Sequence, residues 1–86
     1  PCTGRIVAAI DGFPDMTIPE TDQVNRSGNY VILRCGEADI ALAHFRPRSL
    51  SVQTGKAVKT GDRIAEVGNS GASDEPHLHI HAQRPG

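Results

Sequence analysis

Several features are scarce or missing in this chain of 86 residues. No apolar run is long enough to cross a membrane, and no signal-peptide pattern is present. No stretch carries a helical period of apolar residues. Basic and acidic residues nearly cancel, nine Lys and Arg against ten Asp and Glu, and the basic ones are scattered. Without a basic patch or stripe, nothing marks a nucleic acid as the partner. Cysteine is limited to Cys2 and Cys35, too few to define a framework. Cys2 precedes one predicted strand and Cys35 closes the next. If those strands pair, a disulfide is sterically open to them; two buried free thiols fit the sequence equally well, and no compartment follows. No His-Glu-x-x-His occurs, so no glutamate is placed beside a helical zinc motif as general base. The length allows one small domain with a marginal core.

What the chain does have is a row of imidazoles. "EPHLHIHAQ", residues 75–83, places His77, His79 and His81 at alternate positions, three of the four histidines in the chain. In a strand, alternate side chains share a face. The three histidines then point one way, and Leu78, Ile80 and Ala82 the other. In a helix neither set would form a face. Pro76 suits the first position of such a strand. Neighbours in the row are about 6.5–7 Å apart along it, so two of them can serve one small site, and three cannot easily bind one ion. A row of three favours function over a merely solvated polar face.

Upstream the pattern is of short strands and turns. "GRIVAAI" (4–10) reads as a buried strand. Residues 11–29 are polar and rich in Pro, Gly, Asp and Asn, and read as a long loop. "YVILRC" (30–35) and "ADIALAHF" (38–45) read as a hairpin turning at Gly36-Glu37. In the second of these strands, alternation puts Ile40, Leu42 and His44 on one face. "LSVQ" (50–53) reads as a short strand, "TGKAVKTGD" (54–62) as successive turns, and "RIAEVG" (63–68) as a strand alternating Ile64 and Glu66 against Ala65 and Val67. The predicted fold is all-β, a mainly antiparallel sheet of short strands with long loops and no major helix. The histidine face forms the floor of a groove walled by residues 11–29 and 69–75.

"GKAVKTGDRIAEVGNSGASDEPHLHIHAQ" resembles the signature region of the lysostaphin/LytM-type zinc metallopeptidases. Val58, Gly61, Ile64, Gly68, Gly71 and Pro76-His77-Leu78-His79 match the family pattern in order and spacing. "LAHF" (42–45) resembles a second block, with His44 as its histidine and Leu42 where the family commonly has tyrosine. "CTGRIVAA" (2–9) resembles the family's Gly-x-Val strand. The resemblance covers most of the chain and implies a β fold of the metallopeptidase type, with residues 1–86 the C-terminal part of the peptidase domain.

The resemblance also implies roles. His79, second in His-x-His, would be a zinc ligand. His77 and His44 would be catalytic, acting on the water and the tetrahedral intermediate. The family's other ligands, a histidine and an aspartate, precede the Gly-x-Val strand, and no histidine precedes His44 here. Zinc is therefore expected for the complete domain and weak or absent binding for these 86 residues. His81 lies outside the family set and reads as a surface polar residue. The implied activity is zinc-dependent endopeptidase action on peptide, in particular the cross-links of bacterial peptidoglycan, at an extracytoplasmic or cell-envelope location. A degenerate, non-catalytic binding or regulatory module on the same fold is the alternative. A lipoyl- or biotinyl-type carrier is disfavoured because Lys56 and Lys59 lack the flanking residues of a carrier lysine. A cupin is disfavoured because no glutamate follows the histidines.

Overall fold

The computed structural model describes residues 2–18, 20–73 and 75–84. These residues contain no helix and five strands, β1 (Gly4–Ile10), β2 (Asn29–Cys35), β3 (Ala38–Phe45), β4 (Ala57–Val58) and β5 (His79–Gln83). They form one sheet in the order β4-β1-β2-β3-β5, every pair antiparallel. The all-β expectation is met. The β2–β3 hairpin turns at Gly36-Glu37, where Gly36 has a φ of 62°, a conformation that costs glycine least.

One sheet face carries the core. Val31 pairs with Leu42 and Leu33 with Ile40, and Ile6 pairs with Leu33 from the other side. Val52, Val58 and Phe45 complete the buried cluster. Leu50, Ile64 and Ala65 pack against it from the segment that crosses beneath. Cys2 and Cys35 are joined by a disulfide, which settles the alternative left open by the sequence.

Four local expectations fail. Residues 50–53 and 63–68 are not strands. The two segments do run side by side, through bonds such as Ser51 N–H to Ile64 O at 2.7 Å. Serine hydroxyls replace part of the ladder, however: Ser49 Oγ accepts from Glu66 N–H (3.0 Å) and Ser51 Oγ donates to Ile64 O (2.9 Å). Ile64 and its neighbour Ala65 both reach the core, so no alternation survives. The reverse error lies at Ala57-Val58, read as turn residues. They pair with Arg5 and Gly4 as β4, because Val58 is a core side chain. The strand of the histidine row begins at His79 rather than at Pro76, and His77 is held by an isolated bridge to Gly68.

Candidate active site

β3 and β5 supply the site. Ala43 pairs with His79 and Ala41 with His81, so both histidines share the face of β3's odd-numbered residues, opposite the core. By simple alternation His44 would point the other way, with Leu42. A bulge prevents this. Between the pairs Asn29–Phe45 and Val31–Leu42, the single residue Tyr30 faces both Ala43 and His44. The extra residue turns His44 onto the histidine face and returns Phe45 to the core. His44 has a φ of 67°, a left-handed conformation that few non-glycine residues adopt, histidine among the commoner. The expectation that Ile40, Leu42 and His44 share a face is therefore wrong, and the bulge is the physical reason.

The result is a cluster. The ring of His44 lies 4.9 Å from that of His77 and 5.7 Å from that of His79, centroid to centroid. One ring nitrogen from each of His44, His77 and His79 lies within 4.8 Å of the others. His44 is buried, His77 half-buried and His79 exposed. Ser27 and Ala72 border a cavity of about 230 Å³ over His44, His79 and His81. These come from the two expected walls, of which residues 19 and 74 lie outside the described residues. A larger hollow of about 600 Å³ beside Arg46 and Arg48 contains no histidine.

Hydrogen bonds set the tautomers. His44 Nδ1 is 2.8 Å from Ser70 O. A carbonyl only accepts, so Nδ1 carries the proton and Nε2 presents a bare lone pair. His77 Nδ1 is 2.7 Å from Glu75 O and 3.0 Å from Ser73 Oγ, whose own hydroxyl donates to Glu75 O. Its Nε2 is likewise bare. Three imidazoles facing one another suit zinc and its first-row neighbours. Tetrahedral zinc needs donors about 3.3 Å apart, so the observed spacing fits a metal after a modest inward shift.

Comparison with known proteins gives the family. Residues 2–86 match the family model described as Peptidase family M23. The chain belongs to peptidase family M23. A Haemophilus influenzae protein named as an uncharacterized metalloprotease is 44% identical over 74 residues, 86% of this chain and 15% of that protein. A second protein of the same organism, named only as uncharacterized, is 32% identical over 88 residues, 96% of this chain and 21% of its own length. This chain thus spans at most about a fifth of either relative.

The support for His44 in this M23 domain was invisible in the sequence. Asn29 is fully buried; its amide donates to Phe13 O (2.7 Å) and Phe45 O (3.0 Å) and accepts from Phe13 N–H (2.8 Å). Ser70 Oγ accepts from Asn29 N–H (3.0 Å) and donates to Phe45 O (2.7 Å), while its carbonyl takes the His44 proton. A Cβ on Gly28 would collide with Ser70, and one on Gly71 with Arg26 and Gly28. The two walls meet backbone to backbone there. An "SGN" and an "NSG" triplet in two polar loops were the sole signal, and either reads equally well as a turn.

Two outcomes are expected here. Asn29→Ala leaves the N–H and C=O of Phe13 without their partner, while Phe45 O keeps Ser70, and should cost roughly 1–3 kcal/mol. Urea unfolding measures it, and a midpoint shift worth under 1 kcal/mol would contradict the anchoring role. The second concerns acid. Burial holds the pKa of His44 below its ordinary 6.5; charge on His77 and His79 acts the same way, and the bond to Ser70 opposes it. The unfolded chain therefore binds the His44 proton more readily than the fold does. Stability should be full above pH of about 6.5 and fall as pH drops below that value toward the folded pKa. His44→Asn, which tolerates the left-handed backbone, should flatten this fall in melts of metal-free protein. Identical slopes for parent and variant would disprove the assignment.

Proposed function

We propose that this M23 domain is the histidine-bearing part of a zinc endopeptidase that cleaves peptide cross-links of bacterial peptidoglycan outside the cytoplasm. The observation that carries the reading is the convergence of His44, His77 and His79, two with Nε2 bare, in a member of a metallopeptidase family. Zinc, when bound, supplies a Lewis acid and a water acidified toward a pKa of about 7. His79 would hold it, together with a histidine and an aspartate from outside these residues. His44 and His77 would act on the substrate side. Nε2 of a neutral imidazole takes a proton from the attacking water, and the resulting imidazolium donates to the oxyanion or the leaving amine. Burial of His44 keeps it neutral and ready for the first of these tasks near neutral pH. The peptide would lie in the groove between Ser27 and Ala72, over the histidine floor.

The extracytoplasmic location draws support from the Cys2–Cys35 disulfide, since such bonds persist mainly in oxidising compartments. Peptidoglycan as substrate rests on the lysostaphin/LytM-type resemblance. A non-catalytic binding or regulatory module on the same fold is the alternative reading. Zinc content measured alongside cleavage of peptidoglycan and glycyl peptides, on protein carrying the domain, decides between the two.

A further inference from the structure

We propose that His81 is a positioning residue that sets the tautomer and orientation of His79. The proposal rests on the metal-binding reading of His79 given above. The row's spacing of about 7 Å along the strand suggests that the two rings stand apart. In the structure they lean together: His79 Nε2 lies 2.9 Å from His81 Nδ1, with ring centroids 5.1 Å apart and planes at 71°. On its other side, His81 Nε2 lies 3.0 Å from Gln83 Oε1.

The direction of these bonds follows from their end. An amide oxygen only accepts, so the His81 proton sits on Nε2 and its Nδ1 is bare. Nδ1 can then only accept, and His79 must donate through Nε2–H. That leaves Nδ1 as the one free lone pair on His79. A metal ligand needs such a pair in a fixed direction, and ligating histidines are commonly held by a bond to their second nitrogen. On the paired strand β3, the residues opposite do not compete. Ala41 and Ala43, across from His81 and His79, offer no polar atom. Asp39, across from Gln83, has both carboxylate oxygens taken by Arg34, at 2.9 and 3.1 Å. Gln83 is left to His81. The strand thus carries a relay from Gln83 through His81 to His79, made by three successive residues of one face.

Two measurements test this on the full protein. In zinc competition against a chromogenic chelator, His81→Ala should weaken binding about 10–100-fold. His81→Gln, whose amide oxygen accepts in the same region, should recover most of the loss; His81→Leu, which fills space alone, should not. In metal-free, histidine-labelled protein above pH 8, nitrogen NMR should show His79 as a single tautomer protonated at Nε2, and a mixture in His81→Ala. Parent-like zinc affinity in His81→Ala, or rescue by leucine, would overturn the proposal. So would a parent His79 protonated at Nδ1. If the parent takes up no zinc, the metal reading of the site fails, and the tautomer spectrum alone decides whether His81 positions His79.

Discussion

In protein carrying the complete site, His77→Ala and His44→Asn are expected to lower the turnover of peptide substrate by about 10²–10⁴-fold while leaving zinc bound. Each change removes a bare Nε2 and none of the proposed ligands. Asparagine is the better choice at position 44, because it accepts the positive φ of the bulge and leaves the backbone in place. His79→Ala should behave differently, losing zinc and activity together, since a ligand is gone. Metal analysis beside the cleavage assay separates the two patterns. Parent-like turnover in both of the first two variants would refute their catalytic assignment. A parent that neither holds zinc nor cleaves would leave the binding-module reading standing.

The second large effect is on stability. The Cys2–Cys35 bridge closes a loop of 33 residues and ties the entry of β1 to the exit of β2. Loop-closure entropy alone makes such a link worth about 3–4 kcal/mol. In a domain this small, the double variant Cys2→Ser, Cys35→Ser should melt on the order of 15–30 °C lower. Calorimetric scans of parent and variant check this, with reductant added to the parent as a second route to the same state. A drop of only a few degrees would mean that β1 and β2 are held by their packing alone.

Alternation and turn chemistry made β1, the β2–β3 hairpin and the histidine row legible in the sequence. The short apolar run marks β1, although its register with β2 shifts between Ile6 and Ala8; a tight glycine turn marks the hairpin, and a period of two marks the histidine row. The bulge at His44 was not legible. Its residue is not a glycine, and an inserted residue leaves no mark on an apolar pattern that resumes with Phe45. Alternation alone predicted the wrong face for the very histidine that the site needs. The pairing of Ala57-Val58 was hidden by two Thr-Gly steps around it, and the side-by-side run of residues 46–52 and 63–68 by serines that substitute for backbone partners. The meeting of Ser70 with Asn29 and His44 is a long-range contact between loops, and no local rule anticipates it.

The histidine row also bears on how β5 finds its place. Because imidazoles recur every second residue, sliding β5 by two positions along β3 keeps both faces intact. His81 would then stand where His79 does, and Ala82 would replace Ile80 beside Leu42. The strand's interior thus says little about its own alignment. The discriminating information sits at the aperiodic ends: Pro76 and the bridge from His77 to Gly68 on one side, and Gln83 beside Asp39 on the other. A substitution at Pro76 acts on alignment before it acts on chemistry, and a misaligned strand would still present a histidine at the right spot, carrying the wrong neighbours.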